Sequence, residues 1–330
     1  LGEGTEGKVS LWRHKWKEEH IAVKQPARGT DFHRNMLKQE LKNLKMVGTH
    51  PNVVSLLGWD DYYAPIPPGI FLDYCQLGDL LEYQNLLVDA GHYVPEESIW
   101  KFLVDMSRGL DYLHNHLAVP YIHGDLKPSN ILVARPPGCR NDEVPLLPIF
   151  KLADISRLVP YIPGQGPNHM FFGTPEYGPP FSERRAVAPA VDIYAIGATV
   201  QHLALGCYPT QDRKAFIREV MLQGMDAPHE KDLNHIKWRN LIPVVYRPIN
   251  AAAEEQRTKY KLQHPNPPYS DVLNDWYSMC LEHEKHRRIS ADILTDWFVP
   301  LAEGQIEVLA AKRERDRAAD IARKLRETAT

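Results

Sequence analysis

The stretch Tyr121-Ile-His-Gly-Asp-Leu-Lys-Pro-Ser-Asn130, which the apolar run Ile131-Leu-Val133 follows, is the most informative part of the chain. It brings a carboxylate (Asp125), a lysine two residues later (Lys127) and an amide five residues later (Asn130) into one short loop. A structural turn can also use Asp, Pro and Asn. The three side chains together suit a base for a hydroxyl, a cation for a phosphoryl group and a metal ligand. The loop therefore favours a phosphoryl-transfer site over a structural turn.

Glycines open the chain in Gly2-Glu-Gly-Thr-Glu-Gly-Lys-Val9, a GxGxxGxV pattern between two strand-like stretches. Glycines allow a hairpin to lie close over phosphates and to offer backbone N–H donors with no Cβ in the way. A glycine-rich surface hairpin without a ligand fits the pattern equally well. A dinucleotide-binding fold would require a helix where this chain has a strand.

Lys24 ends the apolar stretch Ala22-Val-Lys24, 17 residues after Gly7. A lysine in such a strand usually faces solvent. The spacing, however, lets the strand return under the glycine hairpin and bring the ammonium beneath it. Glu40, on the helix that follows, is placed to hold this ammonium through a charge-assisted hydrogen bond.

Strand patterns dominate the first 75 residues, and helical patterns dominate the rest. Alternating residues predict strands over 8–13, 20–24, 53–57 and 69–74, and apolar spacing predicts helices over 31–47, 80–90, 96–116 and 303–330. The uncharged window 193–211 resembles a membrane span, but its Gly, Gln, His and Pro residues favour a buried helix. Residues 135–148 are predicted to form a surface loop, and 208–269 short helices and loops.

The composition is that of a soluble globular protein with about two domains or lobes: 330 residues, 43% hydrophobic, with a net charge of −3. This near-neutral charge gives no reason to expect a nucleic-acid or anionic-membrane partner. We also expect no membrane insertion. The four separated cysteines form no CxxC pair and indicate a reducing compartment. We expect an intracellular protein, cytoplasmic or nuclear. Since Leu1 is not a start methionine, we expect the natural chain to begin earlier.

The motifs together resemble the eukaryotic protein kinase family, from Gly2 to about Trp297. Further matches lie in Lys151–Ser156, Gly173–Tyr177, Asp192–Gly197 and Arg287–Ala291. The resemblance implies an α+β, bilobal fold with a small β-rich N-lobe, which contains one main helix, and a larger, mostly α-helical C-lobe. The N-lobe is expected over 1–75, the C-lobe over 76–300 and a charged helical tail over 301–330.

The resemblance also implies ATP and Mg²⁺ as cofactors. Asp125 would accept the proton of the substrate hydroxyl, and Lys127 would steady the γ-phosphate. Asn130 and Asp154 would hold Mg²⁺.

Lys24 would contact the α- and β-phosphates, with Glu40 orienting it. The segment 71–75 is similar to the gatekeeper and hinge, with Leu72 as gatekeeper. The residues implied around ATP are Gly2, Gly4, Gly7, Val9, Ala22, Lys24, Leu72, Asp73, Cys75, Asp79 and Leu132. Those implied in the spine that aligns the lobes are Leu44, His123 and Ile155.

Lys127 and Thr174 resemble the serine/threonine branch, in which such a threonine bridges the base and the lysine. The resemblance therefore implies a protein serine/threonine kinase whose partners are protein substrates with Ser or Thr acceptors. A small-molecule phosphotransferase of related fold is disfavoured by 173–180, which resembles the segment that holds peptide.

Two departures from the family concern regulation. Gly124 replaces the arginine that pairs with a phosphate on the activation loop, and no Ser or Thr lies between Arg157 and Gly173. Tyr161 is the one acceptor in that interval. We therefore hypothesise that activity is independent of activation-loop phosphorylation.

Gly124 and two further departures, at Ser156 and Phe181, motivate an alternative: a pseudokinase scaffold that binds nucleotide or partners with little or no phosphotransfer. Ser156 replaces a flexible glycine. Phe181 stands where the family has a glutamate, which leaves Arg288 without its expected partner, and Glu183 is a candidate substitute. The long stretches 135–150 and 208–269 fit either docking surfaces or plain insertions.

Overall fold

The computed structural model describes residues 1–3, 7–13, 15–16, 19–60, 68–90, 93–164 and 169–328. The N-terminal lobe contains strands β1 (Gly2–Glu3), β2 (Gly7–Arg13), β3 (His20–Pro26), β4 (Leu56–Asp60) and β5 (Gly69–Asp73) and helix α1 (Asp31–Val47). The strands form one antiparallel sheet in the order β1-β2-β3-β5-β4. Buried Leu37 and Leu44 lie on one face of α1, so the helix covers the sheet with an apolar stripe.

Capping residues set both ends of α1. The side chain of Thr30 accepts a hydrogen bond from the His33 N–H at the start. Gly48 adopts a positive φ of 72° at the end, a conformation that favours glycine. The predicted helix over 31–47 is confirmed, as are the strands predicted over 8–13, 20–24 and 69–74.

The strand predicted over 53–57 is wrong in position, because β4 begins only at Leu56. Val53 and Val54 are each 1% exposed. The N–H of Val54 donates to the Leu152 carbonyl (2.9 Å), and the N–H of Leu152 donates to the Asn52 carbonyl (2.8 Å). The apolar pair therefore joins the two lobes instead of extending the N-terminal sheet.

The C-terminal lobe is mostly helical. Its α-helices are α2 (Leu80–Asp89), α3 (Glu96–Asp111), α4 (Ala190–Leu205), α5 (Arg213–Leu222), α6 (Ile236–Arg239), α7 (Ala253–Thr258), α8 (Asp271–Cys280), α9 (Ala291–Ile293) and α10 (Val299–Thr328). Its short strands are β6 (Tyr121–Ile122), β7 (Ile131–Ala134), β8 (Ile149–Leu152) and β9 (Val159–Pro160). The α+β fold of two lobes is confirmed.

The buried helix predicted within 193–211 is α4, whose residues are almost all inaccessible. No helix among the described ranges combines the length and apolar character needed to cross a membrane. The helix predicted over 303–330 is α10, which begins earlier, at Val299. It therefore crosses the boundary expected between the C-lobe and the tail at residues 300 and 301. Glu303 and Arg313 on α10 form ion pairs with Arg108 and Glu97 of α3 (2.7 Å each), which attach its first half to the lobe.

Candidate active site

A cleft of about 1270 Å³ lies between the two lobes. Every predicted site residue that the structure describes lines it: Gly2, Gly7, Val9, Ala22, Lys24, Glu40, Leu72, Asp73, Cys75, Asp79, Asp125, Lys127, Asn130, Leu132, Asp154 and Thr174. Gly4 lies outside the described residues. Residues from the first 80 positions and from 125–174 therefore meet in one cavity.

Lys24 holds two carboxylates from different lobes. Its Nζ lies 2.7 Å from Glu40 Oε2 and 3.2 Å from Asp154 Oδ1. Burial lowers the pKa of Lys24, but the charges of Glu40 and Asp154 outweigh burial and keep its pKa above the usual value. The lysine is therefore a fixed cation at the roof of the cleft.

Asp154 stands at a strained backbone position that its neighbours stabilise. Its backbone adopts the left-handed conformation, with φ 56°. Asn43 of α1 donates to the carbonyls of Ile155 (2.7 Å) and Ser156 (3.3 Å), and Ser156 Oγ donates to Asp154 Oδ1 (3.1 Å). Burial raises the pKa of Asp154, but Lys24 outweighs burial and holds that pKa below the usual value. The carboxylate is thus ionised and aimed into the cleft.

Ser156 tolerates its position without strain. Among the described residues other than glycine, only Asp154 and Lys261 have positive φ. Ser156 lies in a short helical turn over 155–157. The loss of a glycine there costs no backbone strain in this conformation.

Asp125 is held by three side chains of the cleft. Its Oδ1 accepts from the Thr174 N–H (2.7 Å) and the Thr174 hydroxyl (2.8 Å). Its Oδ2 lies 3.2 Å from Lys127 Nζ, which also donates to Thr174 Oγ1 (2.9 Å). Asn130 Nδ2 donates to the Asp125 carbonyl (2.8 Å). The threonine thus bridges the carboxylate and the lysine.

Asp192 of α4 braces the loop that carries Asp125. It accepts from the N–H groups of His123 (2.7 Å) and Gly124 (2.9 Å) and contacts His114 Nε2 (2.9 Å). Gly124 adopts φ 79°, which suits glycine. A Cβ at Gly173 would lie 2.3 Å from the Gly124 carbonyl oxygen, so the two loops touch through glycine backbone.

The carboxylates of Asp73 and Asp79, two other residues predicted around the ligand, form hydrogen bonds with protein groups. Asp73 uses its carboxylate for Lys151 Nζ (2.7 Å) and the Ser55 N–H (2.8 Å), and its own N–H donates to the Ser55 carbonyl (3.1 Å), so neither group is free for a ligand. Asp79 caps α2 by accepting from the N–H groups of Leu81 and Glu82 through Oδ1 (2.9 Å each). The capping fixes Asp79 at the rim of the cleft.

The donor set beside Asp125 fits Mg²⁺. The carboxylate of Asp154 and the amide oxygen of Asn130 are hard oxygen ligands, and Mg²⁺ is commonly held by one or two such groups with water and substrate phosphates. Within the described part of the chain, no group of three or more His, Cys, Asp or Glu is arranged to hold a metal by itself.

Glu183 replaces the missing partner of Arg288. Arg288 Nη2 and Nη1 donate to Glu183 Oε1 (2.7 Å) and Oε2 (2.9 Å). The side chains are 0% and 4% exposed. Phe181, in contrast, is 45% exposed. The substitute proposed from sequence is confirmed, two residues away from the expected position.

Sequence reasoning missed a group from the long segment 208–269. Ile236 and Arg239 of α6 line the same cleft as Asp125. Arg239 forms a bidentate pair with Glu176 (2.7 and 2.8 Å). A four-residue helix in a segment of weak periodicity gives no sequence signal for this contact.

Comparisons with known proteins agree with this geometry. A sequence model of the protein kinase domain matches residues 1–298. The chain is similar to probable serine/threonine-protein kinase MARK-C of Dictyostelium discoideum, 25% identical over 91% of this chain and 36% of that protein. It is similar to serine/threonine protein kinase OSK3 of Oryza sativa subsp. indica, 26% identical over 64% of this chain and 38% of that protein. It is also similar to serine/threonine-protein kinase 36 of Pongo abelii, 29% identical over 63% of this chain and 14% of that protein. The chain thus spans less than two fifths of the length of these relatives.

Proposed function

The chain belongs to the protein kinase family, and we propose on this basis that it is a protein serine/threonine kinase that uses ATP and Mg²⁺. The observation that carries the proposal is the arrangement of Asp125, Lys127 and Thr174 in the cleft. A carboxylate, an ammonium and a bridging hydroxyl within hydrogen-bond distance are the groups that in-line phosphoryl transfer needs. The kinase names of the relatives support the same assignment.

The chemistry divides among residues of this chain. Asp125 accepts the proton of the acceptor hydroxyl through Oδ2, while the two hydrogen bonds from Thr174 occupy Oδ1. The hydroxyl oxygen forms a bond to the γ-phosphorus as the bond from that phosphorus to the bridging oxygen of ADP breaks. Lys127 neutralises charge on the transferred group, and Lys24 holds the phosphates that remain on ADP.

Asn130 and Asp154 would hold Mg²⁺, which when bound neutralises phosphate charge and orients the triphosphate. The ordering of Asp154 by Asn43 and Ser156 prepares its carboxylate for this role. The adenine would lie between the side chains of Val9 and Ala22 above and Leu132 below, since these apolar groups line the cleft.

The test is transfer of labelled phosphate. Purified protein, incubated with [γ-³²P]ATP, Mg²⁺ and generic protein substrates, is expected to label serine and threonine, as read by phosphoamino-acid analysis. Labelling confined to tyrosine would contradict the acceptor assignment. Nucleotide binding without transfer to any protein would instead favour the scaffold alternative.

Activity without activation-loop phosphorylation is part of the proposal, because other contacts hold that segment. β9 pairs with β6, and the Tyr161 N–H donates to the Pro120 carbonyl (2.8 Å). Further along, the Phe171 N–H donates to the Arg184 carbonyl (2.8 Å). Tyr161 and Phe171 also pack on the apolar cluster of Ile122, Val187 and Val191. Backbone pairing and apolar packing thus replace the phosphate–arginine contact.

Phosphatase treatment and Tyr161→Phe are therefore each expected to leave kcat/KM within about twofold of the untreated wild type. The phosphatase is removed before the assay, and mass spectrometry confirms dephosphorylation. A large loss of activity in either sample would show that a phosphate orders the segment.

A further inference from the structure

The acceptor side of the cleft is built in part by α6, which belongs to the long segment after α5. Ile236 and Arg239 of α6 lie in the cleft with Phe172, close to Thr174 and Pro175. Phe172 and Ile236 are 71% and 56% exposed. A protein segment that presents its hydroxyl to Asp125 therefore meets α6 as well.

Arg239 neutralises the carboxylate of Glu176, which follows Pro175 at this surface. Its Nε and Nη2 donate to the two oxygens of Glu176 (2.7 and 2.8 Å), a fork geometry that fixes both side chains. Burial raises the pKa of Glu176, but the hydrogen bonds from Arg239 outweigh burial and hold that pKa below the usual value. Glu176 is thus ionised and already paired.

Arg239 keeps a donor for a ligand. Its side chain is 35% exposed. Glu176 is its one hydrogen-bond partner within the described residues, so Nη1 makes no hydrogen bond there. A carboxylate on a bound protein segment can accept from this nitrogen.

Further guanidinium groups lie near Glu176. Arg213 also lowers the pKa of Glu176 through its charge. Arg184 lies under the same loop and donates to the carbonyls of Pro175, Pro179 and Asn240, with no carboxylate partner in the described ranges. Glu176 is therefore influenced by the guanidinium groups of Arg239, Arg213 and Arg184.

We propose that Arg239 is a specificity-determining residue, which makes the cleft select protein segments with an acidic residue beside the acceptor Ser or Thr. This inference rests on the proposed kinase function. Arg239 acts in two ways: its free donor and the surrounding charge attract a carboxylate, and its pairing with Glu176 removes a carboxylate that would attract a basic residue.

The test uses three peptides that share one acceptor serine and differ only in its flanking residues, which are Asp, Ala or Lys. We expect wild type to show kcat/KM about tenfold higher for the Asp peptide than for the Lys peptide, and this ratio to fall at high salt. Peptide affinity without ATP, measured by fluorescence anisotropy, is expected to follow the same order.

Four variants separate the two actions of Arg239. Arg239→Ala exposes Glu176 and is expected to favour the Lys peptide. Arg239→Ala combined with Glu176→Gln removes both charges and is expected to bring the peptides within about twofold of one another. Arg239→Lys keeps the charge and most of the preference. Arg218→Ala, at an exposed arginine of α5, is the matched control and leaves the ratio unchanged.

The outcomes distinguish this inference from the kinase proposal. Equal use of all peptides by wild type, or an acidic preference that survives in Arg239→Ala, overturns the inference and leaves the kinase standing. Binding of the Asp peptide that Arg239→Ala abolishes, with no phosphorylation of any peptide, supports the recognition surface and contradicts kinase activity. If the protein neither binds nor phosphorylates any of the peptides, both the inference and the kinase proposal are overturned.

Discussion

Asp125→Asn is expected to lower kcat for phosphate transfer about 10³-fold, within the range known for loss of a general base. Asparagine keeps the shape of the side chain and can still accept from Thr174 through its oxygen. It cannot take up the proton of the acceptor hydroxyl. The loss should therefore fall on kcat, while the KM for ATP changes little.

The replacement removes the contact of Oδ2 with Lys127 (3.2 Å) but leaves the loop in place. Asp125 contacts Thr174 and Lys127, but its loop is positioned by Asp192, which accepts from the N–H groups of His123 and Gly124. Nucleotide affinity and thermal stability of the variant should match wild type, and these two measurements are the control for folding. Labelling of substrate at the wild-type rate by Asp125→Asn would remove Asp125 from its assigned role.

A kcat loss with nucleotide affinity retained would also decide between the kinase and the scaffold. A scaffold would bind nucleotide equally well in both proteins and show no transfer in either. The structure accommodates each of the departures that motivate the scaffold. Ser156 adopts an ordinary backbone conformation, Gly124 occupies a position with φ 79°, and Glu183 pairs with Arg288.

Much of the site could be predicted from the sequence because its residues come from short motifs with fixed spacing. Asp125, Lys127 and Asn130 share one loop, so their proximity follows from chain geometry alone. Lys24 and Glu40 require only that one strand and the next helix be recognised. The periodicity of 31–47 supplied that helix, and the contact at 2.7 Å agrees with the prediction.

What the sequence could not supply are contacts between distant segments without a pattern. The run 53–57 reads as a strand, yet the Val54 N–H donates to the carbonyl of Leu152, about 100 residues away in the other lobe, and Val53 forms a bridge with the same residue. Arg239 lies 63 residues from Glu176 in the chain. Its helix has four residues, too few for an amphipathic period to be visible. Such contacts depend on tertiary packing, which no local rule describes.

Glu183→Ala is expected to lower the free energy of unfolding by about 3–5 kcal/mol, because it leaves a buried guanidinium without its counter-charge. The Arg288 side chain is 0% exposed. It also donates to the carbonyls of Glu282 and Ala190, so it cannot leave the interior without losing these bonds. Urea unfolding with an unchanged m-value measures the difference.

Phe181→Ala is the matched control, since Phe181 occupies the position at which the family carries its glutamate. It is 45% exposed, and its ring makes a cation–π contact with Arg184, whose guanidinium lies 4.6 Å from the ring centre. The expected cost is below about 1 kcal/mol. If Phe181→Ala destabilised the protein as much as Glu183→Ala, the ion pair would not be the reason for the loss.

The double variant Glu183→Leu with Arg288→Met separates an unpaired charge from lost packing. Removing both charges should recover part of the stability that Glu183→Ala loses, because apolar pairs often replace buried ion pairs at little cost. Recovery should be incomplete, since the carbonyls of Glu282, His283 and Ala190 lose their donor. A double variant as unstable as Glu183→Ala would contradict the unpaired charge of Arg288 as the main cause of the loss.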